Sequence, residues 1–398
     1  MGLGALSDVK ILDLTRVLSG PYAAMWLGDL GADVIKIEMP NKGDDARFTP
    51  IHVNGYSTFF AAMNRNKRSV TLNLKSPEGR DILKEMVKQA DVIMSNFRPG
   101  VMEKLGLGYE ELSAINERII YATVSGFGQK GKYAGRAAYD IVAQGMGGIM
   151  STTGIEGGAP TRVGASIADI TAGINAVVGI LAALHARTLT GKGQCVDIAM
   201  VDSVMALMPS ENMRYFISGG LVPRVGNRYI GNSPYGAFKA KDNYFILACG
   251  SDKLYARFCT EVLKRPELAE DERFRIMASR SDNHKLVKQF VEEWASQYTA
   301  KEAVDIILAA GIPAGPIYDM NDISTDEHLV VEREMLVKIN QPGVGEITVT
   351  NNPIKLSDTA SSIRRPAPLL GQHNEEVYGE WLNFDAEKIA ELKNNGIL

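Results

Sequence analysis

Asp169 is the lone acid in RVGASIADITAGINAVVGILAALHARTLTGKG (residues 162–193), at the mouth of an almost wholly apolar helical run. A carboxylate there has a structural use, because acids at helix N-termini accept backbone N–H bonds and complement the helix dipole. The same setting favours the ionised form, which a nucleophilic carboxylate requires. The company favours chemistry. Glycine-rich text stands on both sides (STTGIEGGAP, TGKG), and an aromatic residue and an acid, Tyr139 and Asp140, lie upstream in GRAAYDIVAQGMGG.

Rival constellations are missing. No G-x-S-x-G elbow, Walker loop or H-E-x-x-H motif occurs, and His52, His185, His284, His328 and His373 lie apart, so a hydrolase triad and a metal site are not expected. Three cysteines, Cys195, Cys249 and Cys259, lack metal-ligand spacing and cannot all pair, which fits a reducing cytoplasm.

The elements that must position Asp169 begin with a β-α-β unit: VKILDLTRV (9–17), a helix over 20–32 beginning at Pro21, and DVIKIE (33–38). Glu38 lies where a ribose-binding acid would sit, but RVLSGPYAAM has one glycine where a dinucleotide fingerprint needs three, so the unit marks fold and not a nicotinamide cofactor. The alternation continues through KRSVTLNL, a helix capped by Ser76, DVIMSNF, GYEELSAIN, RIIYATVSGFG, a helix over 170–187 and QCVDIAM (194–200). This predicts an α/β fold, a Rossmann-like parallel sheet with helices on both faces. The text then changes to PYGAFKAKDNYFILACGS and three amphipathic helical stretches, which predicts a smaller α+β domain. The expected division is a large domain of residues 1–205 and 330–398, a small domain of 225–325, and linkers at 206–224 and 326–329.

The chain has 398 residues, enough for two or three cores, and a net charge of −4, so nothing attracts nucleic acid electrostatically. The N-terminal text has no export-signal pattern, and the longest apolar run, Ile174 to Leu184, is too short to span a bilayer, so neither export nor a membrane span is expected.

Six stretches then carry a resemblance: KILDLTRVLSGPYAAMWLGDLGADVIKIE, NRNKRSVTLNLKSPEGR, DVIMSNFRPGVMEKLGLGYEEL, SGFGQKGKYAGRAAYDIVAQ, ADITAGINAVVGILAALHARTLTGKGQCVDIAMVDS and PLLGQH. Together they resemble the class III coenzyme A transferases (CaiB/BaiF type, including formyl-CoA and carnitine CoA-transferases) over essentially the whole length. The resemblance implies two ring-like subunits interlocked as a homodimer, acyl-CoA and a carboxylic acid as substrates, and no metal. It places the nucleophile at Asp169, with Tyr139 and Asp140 beside it. It places coenzyme A against Val17, Leu18, Asn96, Phe97 and Lys104, with Arg136 as a phosphate contact. Oxalate-handling members carry a GGGGQ-type loop and a Gln where this chain has GNRYIGNSPYGAF and Leu18, so a larger or less polar acid is expected. The rival within the fold is an α-methylacyl-CoA racemase, which places His where Tyr139 stands; near neutral pH a phenol is a far weaker proton acceptor than an imidazole.

Overall fold

The computed structural model describes residues 4–398. The chain forms two compact units, one of residues up to Ile149 with Arg162–Ile217 and His328–Leu398, the other of Met150–Thr161 and Ser218–Glu327.

The first unit is built on six strands, β1 (Lys10–Asp13), β2 (Asp33–Glu38), β3 (Lys67–Thr71), β4 (Val92–Ser95), β5 (Ile120–Ser125) and β6 (Cys195–Ala199). They lie in the order β3-β2-β1-β4-β5-β6, and every pairing is parallel. Parallel strands buried on both faces read as continuous apolar runs, as VIMS and IYATVS do. One face packs Leu12, Ile35, Val70 and Ile93 under helix α2 (Pro77–Val87), α3 (Tyr109–Ile115) and the C-terminal helices Asn374–Leu382 and Ala386–Asn394. The other packs Ile11, Val34, Val92 and Ile120 under α1 (Ser19–Asp29), α4 (Asp140–Met146), α5 (Ile167–Thr190) and α6 (Met200–Ala206). The strand order reverses between β1 and β4, and the loops leaving their C-terminal ends diverge into a crevice, the usual ligand position in such sheets.

Local chemistry sets the element ends. Ser76 accepts from the Gly79 N–H at 2.9 Å and Pro77 opens α2. The first helix begins at Ser19, two residues ahead of the expected Pro21, which sits inside its first turn. Helix α5 runs 24 residues, and an 18-residue stretch has a mean hydropathy of 1.9, long and apolar enough to cross a membrane. Its Ala168, Ala172, Ala176, Val177 and Ile180 are buried in the core shared with α1 and the sheet, so it is a core helix of this unit.

The second unit holds an antiparallel sheet of Tyr235–Lys239, Tyr244–Ala248 and Ala314–Pro316. Helices His284–Ala295 and Ala300–Ala309 cover it with Val287, Val291, Ala303 and Ile307. Two expectations change. Residues 206–224 are no simple linker: Pro209–Ser218 is helical, with Pro209 at its first position, and 206–217 belongs to the first unit. Residues 150–161, expected in the large domain, belong to the second unit, where the Arg224 guanidinium donates to the carbonyls of Gly158 (3.0 Å) and Ser151 (3.1 Å).

Candidate active site

The acid at the mouth of α5 is not the helix's cap. Asp140, the first residue of α4, accepts from the Ala168 N–H at 2.9 Å and the Asp169 N–H at 3.4 Å, while Ser166, at the N-cap position of α5, makes no side-chain cap bond. Gln144, one turn along α4, donates to Asp140 at 2.7 Å and accepts from the Val163 N–H at 2.8 Å. A carboxylate from a neighbouring helix thus satisfies the first N–H groups of α5. The Asp169 carboxyl is left free for other use.

That carboxyl lines a cavity of about 520 Å³ at the C-terminal ends of β1, β4 and β5. Burial pushes its pKa up to about 7, the charge on Asp140 pushes the same way, and a hydrogen bond from the Ser19 hydroxyl opposes them. Against the expectation that the helix mouth favours the ionised form, burial and the like charge of Asp140 favour the neutral one. Gly173, four residues on and hence on the same helix face, allows Ser19 so close, since a Cβ there would stand 2.7 Å from the Ser19 carbonyl oxygen.

The wall opposite is the turn after β1. Val17 has φ +68°, a left-handed conformation that β-branched residues rarely adopt. Asn96, following β4, accepts from the Arg16 N–H at 2.8 Å and donates to the Arg16 carbonyl at 2.7 Å. Asp44 accepts from the Val17 N–H at 3.0 Å and stands 2.9 Å from the fully buried Lys36 ammonium. Burial works against the Asp44 carboxylate, but Lys36 and the N–H groups of Ala46 and Val17 outweigh it and hold its pKa below the usual range.

Of the residues predicted for the site, Val17, Leu18, Asn96, Phe97, Arg136, Tyr139 and Asp169 line this one cavity. Asp140 acts from behind, as cap and as charge. Lys104 lies on the exposed side of the short helix Val101–Lys104, outside the residues that line this cavity and the next one. The Arg136 guanidinium lies over the Tyr133 ring at 4.0 Å, and Tyr139 is 77% exposed, at the rim. A second cavity of about 300 Å³ shares Arg16, Phe97 and Val101 with the first and adds apolar Leu14, Ile37, Leu72 and Leu74 beside Lys42 and Lys75. Ser19, Asp44, Gln144 and Gly173 escaped sequence reading. The spacing of Gly173 from Asp169 was the one available signal, whereas the others act across the fold.

No group of three or more His, Cys, Asp or Glu side chains able to hold a metal comes together among the described residues. A carboxylate of raised pKa in a crevice with three arginines, Arg16, Arg98 and Arg136, suits a covalent reaction on an anionic substrate.

Proteins of known activity resemble this chain over nearly its whole length. The chain is 39% identical over 395 residues to the succinyl-CoA:glutarate CoA-transferase of Mus musculus, covering 99% of this chain and 90% of that protein. It is 40% identical over 386 residues to the acetyl-CoA:oxalate CoA-transferase of Acetobacter aceti, covering 96% and 97%. Its fold matches the crystal structure of a CaiB/BaiF family protein from Brucella suis with a TM-score of 0.83 at 38% identity, over 96% of this chain and 100% of that one. The model for "CoA-transferase family III" matches residues 6–374, and the chain belongs to that family of enzymes.

Proposed function

We propose that this CoA-transferase works through a thioester between coenzyme A and Asp169. A carboxylate oxygen of Asp169 attacks the thioester carbonyl of the donor acyl-CoA, the C–S bond breaks, and a mixed anhydride and CoA thiolate result. The thiolate attacks the Asp169 carbonyl carbon of the anhydride and releases the donor acid as its carboxylate, leaving aspartyl-CoA. The acceptor carboxylate then attacks aspartyl-CoA, and the displaced thiolate takes the acceptor's acyl group, returning Asp169 as carboxylate. The observation that carries this reading is the placement of the Asp169 carboxyl, relieved of capping by Asp140, in the cavity at the strand ends, where burial also raises its pKa. Bond formation removes a buried negative charge from next to a second one, which favours attack and stabilises the neutral thioester in the same place.

Coenzyme A fits with its thiol end in the Asp169 cavity and its adenosine end in the neighbouring one. Apolar Leu14, Ile37, Leu72 and Leu74 suit a base there, and Lys42, Lys75 and Arg16 suit phosphate. Arg98 and Arg136 remain for the diphosphate or a carboxylate. Relatives of similar identity act on glutarate and on oxalate, so similarity does not choose the acid. Buried Leu18, with Val124 and Met200, presents hydrocarbon, which supports an acid longer than oxalate.

A racemase needs a proton acceptor on each face of the α-carbon, and no histidine lines the cavity. In heavy water, a chiral 2-methylacyl-CoA incubated without acceptor is expected to gain no α-deuterium, and with added carboxylic acids coenzyme A is expected to move with ping-pong kinetics. Rapid α-deuteration without transfer to any acid overturns the reading.

The working form proposed is an interlocked homodimer in the cytoplasm. Support for the dimer comes from apolar side chains left exposed on the first unit, Ile141 (53%), Val178 (60%), Phe216 (67%) and Ile217 (80%). Support for the compartment comes from the free thiols of Cys195, Cys249 and Cys259. Interlocked rings cannot separate without opening, so sedimentation should show dimer down to nanomolar protein, with unfolding and dissociation coincident. Reversible monomer formation on dilution in native buffer contradicts interlocking.

A further inference from the structure

The strained turn ahead of α1 is held by side chains, not by its own backbone. Between Thr15 and Val17, four successive backbone groups are engaged from outside the turn. Lys36 Nζ donates to the Thr15 carbonyl at 2.8 Å, Asn96 takes both the N–H and the carbonyl of Arg16, and Asp44 accepts from the Val17 N–H. Lys36 lies on β2, Asp44 in the loop after β2, and Asn96 just past β4, so the crevice is crossed by braces from both sides of β1. The Asn96 amide uses its oxygen and its nitrogen on Arg16, in the geometry of a brace. Lys36 and Asp44 form a fully buried ion pair, so the anchor behind Val17 is itself fixed.

Val17 explains why braces are needed. A β-branched residue at φ +68° is sterically disfavoured, and without restraint it relaxes toward the extended region. Such a relaxation re-aims Leu18 and Ser19, which open α1. Ser19 is the residue whose hydroxyl reaches Asp169.

We propose that Asn96 and Asp44 are positioning residues for the nucleophile, holding the Arg16–Val17 turn in its left-handed form so that Ser19 stays against Asp169. This rests on Asp169 as the nucleophile, the reading given above. Without the brace the Ser19 hydrogen bond is lost, and the bond that opposes the upward shift of Asp169 goes with it.

The test is steady-state kinetics of Asn96→Ala across pH. A positional loss of this kind is expected to lower kcat by about 10- to 100-fold, to leave the KM for acyl-CoA within about twofold, and to move the acidic limb of the kcat profile to higher pH. Adding Val17→Gly to Asn96→Ala is expected to restore much of the kcat and return the limb toward wild type, because glycine accepts positive φ without a brace. In the wild type, the Arg16 and Val17 amides should resist hydrogen exchange as strongly as those of β1. A raised KM with unchanged kcat would make Asn96 a ligand contact and overturn the proposal. So would an unmoved pH limb, a double variant no better than the single one, or exchange of these amides at open-loop rates, the last being readable even if the variants do not fold. Transfer that survives Asp169→Ala instead removes the nucleophile reading itself, whereas an essential Asp169 with a KM-only effect at Asn96 removes the brace alone.

Discussion

Asp169→Asn is expected to cut CoA transfer by about a thousandfold or more, as loss of a covalent nucleophile does, and yet to give a protein more stable than the wild type at pH 8. Asp140, not Asp169, caps α5, so the substitution costs the helix no cap bond. The native pKa of Asp169 is raised from 3.8 to about 7, so between these values the folded state binds a proton that the unfolded chain has released. Stability therefore declines as pH rises from about 4 to about 7, and the full cost of the buried charge is present above that window. Asparagine carries no such charge. With allowance for solvent screening of a partly exposed group, the gain at pH 8 is on the order of 2 kcal/mol and disappears below about pH 4. Thermal unfolding of both proteins at pH 4 and pH 8 checks it. A variant less stable than wild type at pH 8 contradicts the electrostatic account of the site.

Transfer in the wild type is expected to fall about tenfold per pH unit below about pH 7, since only the ionised Asp169 attacks. Asp140→Asn separates the two parts Asp140 plays. The amide oxygen still accepts from Ala168, while the charge that pushes Asp169 upward is gone. The acidic limb of kcat/KM should then move to lower pH, leaving more enzyme active at pH 5.5, at a stability cost of about 1 kcal/mol for the hydrogen bond from Gln144 that loses its ionised acceptor. A limb that stays in place or moves upward on removal of the Asp140 charge refutes the like-charge effect.

Local patterning made much of the first unit legible. DVIKIE is β2 from end to end, and SPEGRDILKEMV carries its own cap and its own proline start. Asp169 stood out because a single charge in an apolar helix is costly without a purpose. Its electrostatic state was not legible. Whether a helix-mouth carboxylate is ionised depends on what lies across from it, and Asp140 reaches Asp169 only once α4 and α5 pack. The hold of the Asn96 amide on Arg16 was not legible for the same reason, since only the fold brings the two together. Lys104, named by the resemblance, stands on the exposed side of the four-residue helix whose first residue, Val101, lines both cavities. The strand Ala314–Pro316 has no strand pattern of its own, because it is defined by pairing with Tyr244–Ala248, far upstream.

Mass spectrometry of the protein quenched in acid during turnover with an acyl-CoA reads the covalent intermediate itself. A proteolytic fragment containing Asp169 is expected to carry the mass of coenzyme A joined with loss of water. The adduct should disappear when an acceptor acid is present in excess, and it should be absent from Asp169→Asn. Turnover with no adduct on that fragment under any quench, or coenzyme A attached to another residue, contradicts the assignment of Asp169 as the residue that carries coenzyme A.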